Sequence, residues 1–123
     1  MPYKENYTFS KASAASLWVS EFYKKSKFNK TNHIYGHTKN KDYLTKNYFN
    51  IELNNIRSKF KSATKEYINK LVKKFRYQKY DLIEIHNRPI ILEELSKKIK
   101  CRFIMYFHND PLSMNGSKSI SER

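Results

Sequence analysis

Two apolar runs near the end of the chain each lead into a His-Asn tip, and a helix-like segment separates them. The first run, 81–85, ends in His86-Asn87-Arg88-Pro89, and the second, 102–107, ends in His108-Asn109-Asp110-Pro111. Residues 89–99 have the apolar spacing of one short helix. This order is typical of a parallel βαβ unit. Ligands bind beyond the carboxyl ends of parallel strands, so both tips are predicted to lie on one ligand-binding edge.

The rest of the chain also alternates helical periods with short apolar runs. Leu17, Trp18 and Phe22 fall at helical spacing, and Ser10 or Ser13 can cap the helix that carries them. This alternation predicts an α/β fold, a partial Rossmann-like parallel sheet flanked by helices in three layers. The predicted elements are helices at 13–26, 58–77 and 89–99, parallel strands near Ile34, Ile83 and Ile104, and at most a small strand near 48–51.

The last third of the chain resembles a known family. Residues 80–123 resemble the N-terminal domain of retaining glycosyltransferases of the GT-B architecture, in the family 4 group acting on cell-surface polysaccharides. Residues 13–19 look like the first helix of that domain, and 34–36 like its second strand and turn. The resemblance is carried by the two tips, Leu112-Ser113-Met114, Gly116-Ser117-Lys118-Ser119 and Glu122-Arg123.

The resemblance implies an incomplete enzyme. In a GT-B enzyme a second, C-terminal domain holds most of the nucleotide sugar, and a 123-residue chain has no room for it. We therefore expect residues 1–123 to form a partial, single N-terminal GT-B-type domain that contributes the acceptor-side half of the cleft. This domain would act in cell-envelope polysaccharide or lipopolysaccharide synthesis and would be inactive alone. The enzymes that it resembles are hexosyltransferases, but whether this chain is itself an enzyme stays open.

The same resemblance implies partners but no cofactor. The nucleotide sugar would be a co-substrate, held by a domain on a separate chain or by one that has been lost. The acceptor would be a saccharide or a lipid-linked saccharide. No metal is expected, because the sequence lacks the Cys and His spacing of a zinc site.

The candidate catalytic residues are His108 and Asp110. An imidazole can donate a hydrogen bond to a sugar hydroxyl or a departing phosphate, and a carboxylate can accept from the acceptor hydroxyl. An alternative stays open, because Asn-Asp-Pro is also an ordinary turn and either histidine can simply end a strand. The candidate substrate-binding residues are His86, Asn87, Arg88, Asn109, Ser117 and Lys118, among which Arg88 offers a planar fork for phosphate or carboxylate.

The start of the chain departs from the family pattern. A central parallel strand should be a near-continuous aliphatic run, yet 1–7 contains Pro2, Lys4 and Glu5 and no branched aliphatic residue. We therefore expect a truncated or degraded first strand, as in a gene remnant or one piece of a split enzyme. Such a domain would be weakly stable, with poorer cover for the apolar side chains of Trp18, Phe22, Phe75 and Tyr106.

The net charge of +14 supports a second function class, a small basic protein that binds nucleic acid or an anionic membrane. Its surface would be the lysine-rich helix 58–77. A solvated amphipathic helix explains this segment better than a nucleic-acid interface, so nucleic acid is disfavoured as a partner. The apolar residues interleaved with these lysines are Phe60, Tyr67, Leu71, Val72 and Phe75.

Compartment follows from what the sequence lacks. Cys101 is the single cysteine, no stretch of about 18 apolar residues could span a bilayer, and residues 1–6 lack the apolar core of a signal peptide. These features predict a cytoplasmic protein, with a peripheral position at the inner membrane face as the second location.

Overall fold

The computed structural model describes residue 1 and residues 5–53 and 63–108. Contacts divide the chain into two compact units, Met1–Glu52 and Leu53–Arg123. The predicted mixed α/β class with parallel strands is confirmed. Along the described residues the elements are α1 (Ala14–Lys25), β1 (Ile34–Gly36), β2 (Tyr48–Asn50), α2 (Ala63–Tyr77), β3 (Leu82–His86), α3 (Pro89–Lys98) and β4 (Arg102–Tyr106).

The first unit is organised around a short parallel pair and a cluster of tyrosines. Strand β1 pairs with β2, with Ile34 opposite Tyr48. Tyr7 is fully buried and its ring stacks on that of Tyr48 at 4.9 Å. Thr8, also buried, forms an antiparallel bridge with Tyr43. The end of the segment expected to be a degraded strand therefore supplies a core residue, Tyr7.

Helix α1 packs on the first unit through small side chains. Ser13 caps it, since its hydroxyl accepts a hydrogen bond from the Ser16 N–H at 3.1 Å. The buried residues are Ala15, Ser16 and Ser20, and the Ser16 hydroxyl donates to the backbone carbonyl of Asn6. This close approach of helix and chain favours a small residue at Ser16, while Val19 and Tyr23 of the same helix are partly buried against the core of the first unit.

Three other large apolar side chains of α1 are exposed. Leu17, Trp18 and Phe22 are 50%, 40% and 48% exposed. The apolar spacing thus located the helix correctly but did not reveal which face packs. Trp18 and Phe22 are exposed as expected, whereas Phe75 is buried and Tyr106 is half-buried. A degraded first strand as the cause of this exposure stays a prediction.

The second unit contains the predicted βαβ arrangement. Strands β3 and β4 are parallel, with Ile83 opposite Phe103, and α3 is the crossover between them. Pro89 occupies the first turn of α3, where its missing N–H costs nothing. Ile91 and Leu95 are buried on α3.

Helix α2 contacts α3 and buries its whole apolar stripe. Because these residues form the core of their own unit, the helical pattern predicted for 58–77 is confirmed over the described part, Ala63–Tyr77. Residues 58–62 lie outside the described residues. The stripe comprises Tyr67, Ile68, Leu71, Val72 and Phe75.

The described strands form two separate sheets, β1–β2 and β3–β4. The strand at Ile34 therefore has β2 as its partner within the described residues, a strand that the sequence indicated only weakly. A single Rossmann-like sheet that unites Ile34, Ile83 and Ile104 stays a prediction.

Candidate functional site at the carboxyl edge of β3 and β4

The two His-Asn tips lie side by side at one edge of the β3–β4 sheet. The register sets His86, the last residue of β3, opposite Tyr106, the last residue of β4, so both strands end at the same edge of the sheet. The Nδ1 atom of His86 lies 2.8 Å from Nε2 of His108, and the ring centroids are 5.1 Å apart. The two histidines predicted for one edge are thus in direct contact.

Asn87 connects the first tip to the second. Its backbone has φ of 59°, in the left-handed region that asparagine tolerates better than most residues. In this conformation its N–H donates to the Tyr106 carbonyl at 2.9 Å. Its side-chain Oδ1 accepts from the His108 N–H at 2.7 Å. Asn87 is buried, and its carboxamide oxygen holds the backbone of the second tip.

His86 is the buried centre of the site. Its ring stacks on Tyr106, with centroids 5.2 Å apart and planes within 10°. Its Nε2 lies 3.7 Å from Oε2 of Glu84, which is two residues earlier on the same face of β3. Burial lowers the pKa of His86 below the ordinary 6.5, although the nearby Glu84 carboxylate acts in the opposite direction. The His86 imidazole is therefore neutral at pH 7.

The contacts assign protons to the two rings. A carboxylate only accepts hydrogen bonds, so Glu84 favours a proton on Nε2 of His86. Nδ1 of the neutral His86 ring then accepts, and Nε2 of His108 must donate to it. Glu84 thus acts on the His86 tautomer from ion-pair distance, and the hydrogen bond between the two rings orients the half-buried His108 ring.

Arg88 begins α3 and reaches towards α2. It is the N-cap residue of α3, and its Nη2 donates to the Thr64 hydroxyl at 3.4 Å. Its guanidinium is thereby placed beside the first turn of α2, and the residue as a whole is half-buried. The other predicted site residues, Asn109, Asp110, Ser117 and Lys118, lie outside the described residues.

Sequence reasoning missed two contributors, Glu84 and Tyr106. Glu84 had a usable signal, because residues two apart on a strand share a face and Glu84 precedes His86 by two. Tyr106 ends an apolar run and had no such signal. Its role depends on the register between strands, which brings its ring onto His86.

The basic helix offers less than its sequence pattern suggested. The apolar stripe of α2 belongs to the core, so it is not available to a membrane. One of its lysines, Lys70, pairs with Glu66 at 3.3 Å. Only the solvent-facing basic side of α2 remains for the alternative function.

Within the described residues, 1, 5–53 and 63–108, no group of three or more His, Cys, Asp or Glu side chains is arranged to hold a metal ion. None of the helices described has the length and apolar character needed to cross a bilayer. No protein-family model, curated protein or solved structure matches the chain.

Proposed function

We propose that this chain is the acceptor-side part of a retaining glycosyltransferase of cell-envelope polysaccharide or lipopolysaccharide synthesis. In this proposal β3 and β4 belong to a Rossmann-like sheet, and a nucleotide-sugar-binding domain comes from elsewhere. The observation that supports it is the contact between His86 and His108 at the carboxyl edge of two parallel strands. Ligands of open parallel sheets bind at this edge.

The geometry suits a hydroxyl-rich ligand better than a polyanion. The centre of the edge holds a neutral His86 and the amide of Asn87. An uncharged edge suits neutral sugar hydroxyls, whereas phosphate chains are bound chiefly by cations. Arg88, which follows Asn87 in the chain, supplies one cationic group at the start of α3, suited to a single phosphate.

Each residue has a role in this proposal. His108 is oriented by His86 and by the bond to Asn87, and its Nε2–H donates to His86. Its Nδ1 therefore accepts from a sugar hydroxyl when the ring is neutral, and donates to a sugar hydroxyl or to the departing phosphate when the ring is protonated. Asp110 accepts from the acceptor hydroxyl, and Arg88 binds the phosphate of a lipid-linked acceptor. Substrate contacts are completed by Asn109, Ser117 and Lys118.

The chain alone should transfer no sugar. Catalysis by positioning requires the donor sugar and the acceptor to be held together. In this proposal the nucleotide sugar is bound by a different domain, so the chain alone holds only the acceptor. A lipid-linked acceptor would keep the protein in the cytoplasm near the inner membrane face.

The test is an NMR titration of the full chain with histidine ring carbons labelled. The probes are a short-chain prenyl diphosphate carrying one N-acetylglucosamine, and UDP-glucose. With the prenyl-linked probe up to about 1 mM, the weak end of typical substrate affinity, we expect the His86 and His108 signals to shift and saturate. UDP-glucose should leave them unchanged.

Two variants control the titration. His108→Gln should lose the response, whereas His33→Ala, which removes a histidine of the first unit that contacts Phe49, should retain it. An unchanged response in His108→Gln would refute the role of the site. Transfer or hydrolysis of UDP-glucose by the chain alone would refute the division between acceptor and donor halves.

A further inference from the structure

Helix α1 carries a contiguous apolar surface on its exposed side. Leu17, Trp18 and Phe22 are each exposed by two-fifths or more. Trp18 and Phe22 are four residues apart, and their rings stack at 5.3 Å with planes within 7°. Single exposed apolar residues are ordinary, but a contiguous group on one helix is typical of an interaction surface. We name Leu17, Trp18 and Phe22 the α1 face.

Lysines are concentrated in the last turn of α1 and in the segment that follows it. Lys24 and Lys25 lie in the last turn of α1, and exposed Lys27 and Lys30 follow it. The acidic residue of this helix, Glu21, is 3.5 Å from Lys24 and offsets part of that charge. The α1 face therefore combines aromatic and aliphatic side chains with a net excess of lysine.

We propose that the α1 face docks on the surface of an anionic lipid bilayer. Leucine, phenylalanine and tryptophan insert at the boundary between headgroups and acyl chains, where the amphipathic indole is favoured. Lysines at the same end of the helix contact the lipid phosphates. The surface uses α1 of the first unit and none of the tip residues, so it stands or falls independently of the glycosyltransferase proposal.

The observed chemistry favours a bilayer over the other occupants. A second copy would bring its own lysines against these lysines and be repelled. A nucleic acid would use the lysines but gain nothing from burying Leu17. An anionic bilayer satisfies both the apolar and the basic side chains at once.

Trp18 is the single tryptophan of the chain, so its fluorescence reports on this surface directly. The full chain is titrated with vesicles of phosphatidylglycerol mixed with phosphatidylcholine, and with phosphatidylcholine alone. We expect a blue shift and co-sedimentation with the mixed vesicles only, both weakened by added salt. Phospholipids brominated near the top of the acyl chain should quench Trp18 in the unmodified protein.

Variants that retain Trp18 separate the contributions. Replacing both Leu17→Ser and Phe22→Ser should weaken vesicle binding about tenfold or more. Each of Lys24→Gln and Lys25→Gln should weaken it about fivefold. Tyr77→Ser, at a side chain 92% exposed in the second unit, should change nothing.

The two alternative binding partners, a second copy of the chain and a nucleic acid, would change the Trp18 fluorescence differently. A blue shift that depends on protein concentration without vesicles would overturn the proposal in favour of a second copy. Quenching by a single-stranded oligonucleotide without any vesicle response would overturn it in favour of nucleic acid. Because brominated-lipid quenching needs no variant, its absence would overturn the proposal even if a substituted chain fails to fold.

Discussion

Replacement of Asn87 should reveal how firmly the two tips are joined. Asn87→Ala removes the acceptor of the His108 N–H and puts a Cβ-bearing residue without local hydrogen bonding at φ of 59°. The lost bond costs about 1–2 kcal/mol, and the left-handed backbone adds about 1 kcal/mol. Asn87→Gly loses the same bond but tolerates the backbone. We expect losses of about 2–3 kcal/mol for alanine and about 1–2 kcal/mol for glycine.

An exposed helical asparagine provides the matched control. Asn69 lies in α2, where alanine should be more stable than glycine by about 1 kcal/mol. The order of the two variants should therefore reverse between Asn87 and Asn69. Urea unfolding followed by circular dichroism measures all four variants, and the His108 amide signal should shift in both Asn87 variants. The same order at both positions would refute the left-handed conformation, and unchanged stability in Asn87→Ala would refute the connection between the tips.

Three further predictions concern the first unit. Burial raises the pKa of Tyr7 to about 12 from 10, so its stabilising effect is complete below pH 10 and is lost as the pH rises towards 12. In the unmodified chain this loss should lower the free energy of unfolding by about 3 kcal/mol between pH 10 and pH 12. Urea unfolding across this range should show a smaller decrease for Tyr7→Phe, and an equal decrease would contradict the role of Tyr7. Ser13→Ala should cost about 1 kcal/mol by removing the cap of α1, and an unchanged melting temperature would contradict the cap. In Gly36→Ala the new Cβ would lie 2.8 Å from Oη of Tyr48, whose ring stacks on Tyr7. We expect about 1–3 kcal/mol of destabilisation, and a thermal melt equal to that of the unmodified chain would show that Tyr48 can move.

Local periodicity explains how much of the fold could be predicted. The bounds of α1, α3, β3 and β4 fall within about a residue of the prediction, because apolar spacing and caps are encoded in neighbouring residues. The packed face of α1 could not be predicted in the same way. It depends on how closely the backbone of Asn6 approaches Ser16, a contact ten residues apart.

The site was predictable where the sequence repeats and not where contacts are tertiary. Repetition of the tip correctly indicated that His86 and His108 share an edge. The tie through Asn87 depends on one backbone dihedral, and the stacking of Tyr106 on His86 depends on strand register. Neither contact produces a recognisable sequence pattern, so both could be found only from the structure.

The bond between the two histidine rings is the most direct test of the account. In protein labelled with 15N in its histidine rings, NMR detects the coupling that passes through an N–H···N hydrogen bond. We predict coupling between Nδ1 of His86 and Nε2 of His108, with His86 protonated on Nε2 and titrating below 6.5. Absence of this coupling, with both rings titrating as independent and ordinary imidazoles, would separate the tips and remove the observation on which the proposed function depends.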